Sequence, residues 1–126
     1  MMQAPISTTR KGSRGEDTAV AWLETKGWKV LARNFRVRWG EIDVIARRDD
    51  TVAFIEVKSW TSVPREDLAR SIGPRKRSRI ARAARLFLSR RPDCEDAHLR
   101  FDVMFLGGEG NGVEHIAGAF DEEGID

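Results

Sequence analysis

The segment GEIDVIARRDDTVAFIEVK, residues 40–58, decides the fold. Two runs rich in β-branched residues flank Asp49-Asp50, which predicts a β-hairpin built from EIDVIAR and TVAFIEVKSW. A turn centred there sets a register in which apolar residues face one another on one side of the hairpin. These pairs are Ile42 with Val57, Val44 with Ile55, and Ala46 with Ala53. A slip by one residue would bury acids, so burial of the apolar face favours this register. The turn lacks the glycine that tight primed turns prefer, and its length therefore stays open.

The other side of the hairpin carries ionisable residues. In the same register Asp43 faces Glu56, and Glu41 faces Lys58. Two carboxylates with β-carbons roughly 5 Å apart repel each other unless a proton or a cation lies between them. Mg²⁺, or Mn²⁺ in its place, favours such oxygen ligands together with water and substrate phosphate. Lys58 lies roughly 7 Å beyond Glu56 on the same face. The set therefore suits metal-assisted hydrolysis of phosphodiester bonds. The alternative is an exposed face with a weak ion pair between Glu41 and Lys58.

The remaining segments predict the element order α-β-β-β-α-β-β. The capping-box pattern Ser13-Arg14-Gly15-Glu16 opens a first helix, and Gly27 ends it. A second helix is predicted over 74–89, since Ile80, Ala83 and Phe87 follow helical spacing. Further strands are predicted at 28–35, 98–106 and 113–120, and a helical turn at 65–70. A crossover helix makes its flanking strands parallel, so the sequence predicts an α/β fold with a mixed sheet and helices packed on it.

Length and composition favour one small globular domain. The chain has 126 residues, of which 40% are hydrophobic and 33% charged. We expect a flexible tail over 1–12, one domain over 13–120 and an acidic tail over 121–126. Apolar runs are too short to span a membrane. A single cysteine, Cys94, excludes an internal disulfide and fits the reducing cytoplasm.

The second predicted helix is strongly basic. From Arg70 to Arg91 there are nine Lys or Arg residues and no Asp or Glu. Such a block is a candidate surface for nucleic acid, although a solvated helix face is the simpler explanation of a charge run. The residues that we expect to bind nucleic acid are Arg75, Lys76, Arg79 and Arg82.

The hairpin segment resembles the signature of the YraN family, small bacterial proteins regarded as predicted endonucleases. That family is placed in the PD-(D/E)XK nuclease superfamily, near the archaeal Holliday-junction resolvases. The resemblance extends over most of the chain. It includes Gly15-Glu16, Arg33-Asn34, Lys76, Arg100-Phe101-Asp102 and Ala119-Phe120.

The resemblance implies a restriction-endonuclease-like mixed sheet and a role for each matched residue. Asp43 resembles the first metal-binding acid, with Ile42 in place of the usual proline. Glu56 and Lys58 resemble the acid and lysine of the E-x-K half. Glu16 resembles a metal-binding glutamate of the first helix, and its alternative role is the capping box. Glu41 is expected to support the site. Lys76 is expected either to approach the site or to form part of the basic face. One departure is Trp60, where family members often carry an arginine.

Together these features predict a cytoplasmic Mg²⁺-dependent nuclease. The resemblance implies an endonuclease whose substrate is DNA, including branched DNA, in preference to RNA. A homodimer is expected, because a chain of this size needs a second copy to cut two strands. The alternative is a nucleic-acid-binding or adaptor protein that keeps the fold without catalysis. A third class, a partner protein that binds no nucleic acid, would show no salt-dependent binding to DNA or RNA.

Overall fold

The computed structural model describes residues 7–59, 72–107 and 112–120, with residues 7–14 described by their backbone alone. The elements follow the predicted order α-β-β-β-α-β-β. They are α1 (Ser7–Thr25), β1 (Lys29–Val37), β2 (Gly40–Arg48), β3 (Thr51–Ser59), α2 (Pro74–Ser89), a short 3-10 turn (Pro92–Cys94), β4 (His98–Gly107) and β5 (Gly112–Phe120). The predicted turn at 65–70, the acidic tail and Trp60 lie outside the described residues. No helix in the described part of the chain is long and apolar enough to cross a membrane.

The five strands form one mixed sheet in the order β1-β2-β3-β4-β5. All neighbours are antiparallel except β3 and β4, which are parallel along their whole length. A parallel pair needs a crossover connection, and α2 lies in the chain between these two strands. The prediction of a mixed sheet with a crossover helix is confirmed.

The first helix begins earlier than the capping-box pattern predicts. It starts at Ser7, so Ser13 and Glu16 lie inside the helix and not at its N-terminus. The predicted cap is therefore wrong. The Glu16 carboxylate bonds to the side chain of Asn34. The predicted end is confirmed, because Gly27 has φ of 89° and the Trp28 N–H donates to the Leu23 carbonyl at 3.0 Å.

Apolar side chains fill both sides of the sheet. On one side α2 covers a core that includes Ile45, Phe54 and Phe101, with Ile80 and Phe87 from the helix. On the other side α1 covers a second core. Its buried members are Ala19, Leu23, Trp28, Val44, Ala46, Ala53, Ile55 and Met104. We call these the α2 core and the α1 core. Because β3 is buried on both faces, its alternating residues contribute to each core in turn.

The hairpin register is confirmed near its turn. Val44 pairs with Ile55 and Ala46 with Ala53, and the turn consists of Asp49 and Asp50. Asp49 takes a left-handed φ of 55°, a conformation that aspartate tolerates better than most residues.

The predicted face of Ile42 is wrong. Val44 lies in the α1 core, but Ile42 lies in the α2 core. On the neighbouring strand Asn34 has a left-handed φ of 52° at the same level of the sheet. Phe35, paired with Ile42, also packs against the α2 core.

A fully buried carboxylate ties β4 to β5 on the side of α1. Asp102 accepts two hydrogen bonds from Arg100, one from the Gly118 N–H at 3.0 Å and one from His115 Nε2 at 2.7 Å. Burial by itself would raise the pKa of Asp102, but the hydrogen bonds from His115 and Arg100 outweigh burial and lower it. Trp22 lies edge-on against His115, with ring centroids 5.6 Å apart. This network therefore connects α1 to the far edge of the sheet.

We predict that Asp102→Asn lowers the free energy of unfolding by about 3–5 kcal/mol, because it removes one member of a buried charged network. Since the folded pKa of Asp102 lies below its ordinary value, the stability it adds is present at neutral pH and is lost as pH falls through that folded pKa. Urea unfolding at several pH values measures both effects. The control is Asp96→Asn, which makes the same substitution at an exposed position. Equal stability of the two variants would contradict the prediction.

Candidate functional site

The strands β2 and β3 separate near the start of β2. We call the unpaired region between residues 40–43 of β2 and 56–59 of β3 the fork. Pairing of β2 with β3 runs from Arg48–Thr51 to Val44–Ile55 and ends there. Beyond that point β2 remains paired with β1 as far as Gly40, and β3 remains paired with β4 as far as Ser59. The ladder is thus shorter than predicted. The expected pairs of Asp43 with Glu56 and of Glu41 with Lys58 lie in the fork.

Asp43 bridges the fork with its side chain. Its Oδ2 accepts a hydrogen bond from the Val57 N–H at 2.8 Å, so a carboxylate replaces the main-chain acceptor that a longer ladder would supply. Burial, together with the negative charge of Glu56, raises the pKa of Asp43 to about 7, against the lowering effect of the Val57 hydrogen bond. Glu16 and Glu41 raise it by smaller amounts. A cation beside Asp43 would therefore be favourable.

Glu56 already has a cation next to it. Its side chain is only 9% exposed, and Lys76 Nζ lies 2.6 Å from its Oε2. Glu56 is on the side of the sheet that faces α2, since the alternate residue Phe54 packs in the α2 core. Lys76 lies in the first turn of α2. The structure thus brings Lys76 to the site, one of its two predicted locations.

The two outer acids have partners of their own. Glu16 accepts a hydrogen bond from Asn34 Nδ2 at 2.6 Å, and Arg33 lies 3.8 Å from the same carboxylate oxygen. Burial raises the pKa of Glu16, and these two neighbours oppose that rise. Glu41 pairs with Arg36 at 3.5 Å across β1 and β2. Glu41 therefore pairs with Arg36 and not with Lys58, the partner that the alternative predicted.

Alternation along β3 puts Lys58 on the same face as Glu56. Among the described residues it has no hydrogen bond or ion pair. The exposed face of α2 next to it carries Arg75, Arg79 and Arg82. The Arg82 guanidinium lies 5.4 Å from the ring centroid of Trp39, a partly exposed residue in the turn between β1 and β2.

Close packing holds α2 over the start of β2. A β-carbon at Gly40 would lie 3.2 Å from the β-carbon of Arg79, which is closer than side chains normally approach. Glycine at this position therefore lets the basic helix approach the fork.

The donor set suits a hard divalent cation. Asp43 and Glu56 are carboxylates held near each other, and the ammonium of Lys76 marks a place where positive charge is favoured. Over residues 7–59, 72–107 and 112–120, however, no three His, Cys, Asp or Glu side chains form a group that could hold a metal ion as they stand. Glu16 acts on Asp43 through its charge, while its carboxylate is bonded to Asn34.

Two features were missed by sequence reasoning. One is Asn34, whose left-handed backbone turns β1 and whose amide holds Glu16. The other is the pairing of Lys76 with Glu56 across 20 positions of sequence. The pair Arg33-Asn34 just before the hairpin was a signal in the sequence for the first feature. For the second, the resemblance implied that Lys76 could approach the site, but its pairing with Glu56 depends on how the helix packs on the sheet.

We predict that Asp43→Asn stabilises the protein at about pH 8 in the absence of divalent cations, by roughly 1–2 kcal/mol. The folded pKa of about 7 exceeds the ordinary value of 3.8, so the folded protein holds this proton more tightly than the unfolded chain. The contribution of Asp43 to stability therefore falls as pH rises from about 4 to about 7. Asparagine removes the charge and keeps an acceptor for the Val57 N–H.

Thermal unfolding in EDTA at about pH 5 and about pH 8 measures this effect, and the difference between variant and wild type should shrink at the lower pH. Glu24→Gln, at an exposed position of α1, is the matched control and should show no such change. A variant less stable than wild type at the higher pH would contradict the prediction.

Comparison with known proteins identifies relatives in several bacteria. The profile of the uncharacterised protein family UPF0102 matches residues 15–106. A UPF0102 protein of Rhodopseudomonas palustris is 42% identical over 118 residues, which cover 94% of this chain and 88% of that protein. One from Myxococcus xanthus is 40% identical over 120 residues, covering 94% of each chain. One from Treponema pallidum is 42% identical over 95 residues, covering 75% of each. Because the family profile spans the forked hairpin and α2, the chain belongs to the uncharacterised protein family UPF0102.

Proposed function

We propose that this protein is an Mg²⁺-dependent nuclease that hydrolyses phosphodiester bonds of DNA, with Mn²⁺ able to replace Mg²⁺. The observation that carries the proposal is the fork between β2 and β3. There Asp43 is bonded to the main chain of Val57, directly after the buried Glu56 and directly before Lys58. Two acids and a lysine lie at one end of the sheet, beneath a basic helix.

Each carboxylate has a separate reason to bind the cation. Asp43 is held in place by the Val57 N–H and carries a raised pKa, so a cation would stabilise its ionised form. Glu56 is almost completely buried and depends on a positive partner. A bound divalent cation would lower the pKa of a water molecule and neutralise charge on the phosphate. Glu16 and Glu41 strengthen the negative potential at Asp43 without leaving their own partners.

Lys58 supplies positive charge at the substrate. On the face that it shares with Glu56, its ammonium can approach a phosphate oxygen and stabilise the negative charge that develops when water adds to phosphorus. The bond to the leaving oxygen breaks in the same reaction, and that oxygen takes up a proton. Lys58 is suited to this role because no acid among the described residues neutralises it.

The exposed face of α2 would guide the nucleic acid to the fork. Arg75 and Arg79 are exposed next to Lys76, and Arg82 with Trp39 adds a cation and an aromatic ring beside them. Phosphate contacts from arginine give affinity, and a partly exposed ring can stack on an unpaired base. We propose branched DNA as one substrate for this surface, and a second copy of the chain for cutting the second strand. We propose that the protein acts in the cytoplasm, where the buried thiol of Cys94 would stay reduced.

We predict that Asp43→Asn and Lys58→Met each lower the rate of DNA cleavage by roughly 100-fold or more, because each removes charge stabilisation at the reacting phosphate. Junction, flap, duplex and single-stranded DNA incubated with Mg²⁺ or Mn²⁺ provide the assay. Lys29→Met, an exposed lysine at the start of β1, is the matched control and should keep wild-type activity. Failure of the wild type to cut any substrate, or unchanged cleavage by both site variants, would contradict the proposal.

A second candidate function is nucleic-acid binding without catalysis. The observation that favours it is the ion pair between Lys76 and Glu56, which neutralises this carboxylate without any metal. Binding that persists in EDTA, survives Asp43→Asn and is never followed by cleavage would support this function over the first.

The basic face of α2 generates a prediction common to both functions. Arg75→Gln and Arg79→Gln should each reduce the slope of log K against log salt concentration by about 0.9, because each removes one phosphate contact. Fluorescence anisotropy with labelled duplex DNA at several salt concentrations measures this slope. Arg90→Gln, just beyond the opposite end of α2, should leave the slope unchanged. Identical slopes for all four proteins would exclude this face as the binding surface.

A further inference from the structure

Lys76 occupies an unusual place for a cation. It lies in the first turn of α2, where the helix dipole disfavours positive charge, and that turn contains no acid. Its neighbours Arg75 and Arg77 repel it. The interaction that opposes these costs is the ion pair with Glu56 at 2.6 Å. The Lys76 side chain is also 47% exposed, so it can leave the carboxylate without opening the core.

We propose that Lys76 is an exchangeable counter-ion, which neutralises Glu56 when no divalent cation is bound, competes with that cation for the carboxylate, and turns to the phosphate backbone when the cation binds. This inference rests on the proposed function, since it concerns the same cation position. Lys76 would thus act as a positioning residue for nucleic acid in the metal-bound state. In the metal-free state it would keep a buried carboxylate from standing unpaired.

Charge repulsion explains why Lys76 and a divalent cation compete for the Glu56 carboxylate. An ammonium and a divalent cation at the same carboxylate repel each other, so binding of one weakens binding of the other. Lys58 has a different position, because it follows Glu56 on the same strand and has no ion pair among the described residues. Lys58 would therefore keep its place in both states, while Lys76 changes partner. Arg75 and Arg79 are exposed beside Lys76. Phosphate bound by these arginines would therefore lie close to the released ammonium of Lys76.

The first test is the affinity for Mn²⁺ in the absence of nucleic acid, measured by isothermal titration calorimetry on the full chain. We expect Lys76→Met to bind Mn²⁺ roughly 10-fold more tightly than wild type, a difference of about 1.4 kcal/mol, because the competing ammonium is gone. Lys76→Arg keeps a cation and should remain near wild type. Arg90→Met, which makes the same charge change just beyond the opposite end of α2, should alter the affinity less than about 2-fold. Circular dichroism confirms that each variant is folded.

The outcomes separate this inference from the proposed function. If wild type binds Mn²⁺ and Asp43→Asn does not, the proposed cation site stands. In that case an unchanged or weaker affinity in Lys76→Met overturns the counter-ion inference alone. If wild type binds no Mn²⁺ at millimolar concentration, both proposals are overturned.

The second test asks where Lys76 goes. Ca²⁺ serves as a divalent cation that occupies the site without supporting rapid cleavage. In wild type we expect the salt slope of duplex DNA binding to steepen by about 0.9 when Ca²⁺ replaces EDTA, because Lys76 becomes available to one more phosphate. Lys76→Met should show no such steepening beyond the effect of Ca²⁺ on the DNA itself. Equal changes in slope for both proteins would overturn the release of Lys76 toward phosphate.

Discussion

The hydrogen bond from the Val57 N–H to the Asp43 carboxylate is the contact on which the candidate site depends. Where β2 and β3 part, their main-chain groups lose the partners that a regular hairpin would provide. Asp43 supplies one of them from its side chain, and this fixes its carboxylate next to the residue that follows Glu56. Asn34 has a left-handed backbone beside this point, and the Phe35–Ile42 pair lies on the α2 side of the sheet. A partly buried acid is thereby built into the sheet at the fork.

The crossover that makes the sheet mixed also completes the charge balance. Because β3 and β4 are parallel, the chain must cross the sheet between them, and α2 lies in that connection. Its first turn brings Lys76 to Glu56, and Gly40 leaves the space that Arg79 needs. Glu56 on the sheet and Lys76 on the helix thus stabilise each other. We propose that this single ion pair exchanges its internal cation for an external one, in contrast to Asp102, which has several hydrogen-bond donors.

The sequence was sufficient for the element order, the α2 boundaries and the hairpin register between the turn and the Val44–Ile55 pair, because hydrophobic periodicity and the cost of burying acids act locally. It failed beyond Val44 and at the start of α1. Ile42 lies in the other core, at the level where Asn34 has a left-handed backbone, and the ladder ends at Val44 instead of continuing to Asp43. The predicted cap at Ser13 is wrong because α1 begins at Ser7, and the Glu16 carboxylate bonds to Asn34. The members Asp43, Glu56 and Lys58 were predictable from their spacing. The link from Lys76 to Glu56 arises only when the helix packs on the sheet.

We propose that the fork between β2 and β3 binds a divalent cation through Asp43 and Glu56. Anomalous diffraction from crystals soaked in Mn²⁺ at about pH 8, above the raised pKa of Asp43, tests it most directly. We expect an anomalous peak between these two carboxylates, with Lys76 Nζ moved away from Glu56. Crystals saturated with Mn²⁺ that show no peak there, and in which Lys76 remains bonded to Glu56, would contradict it.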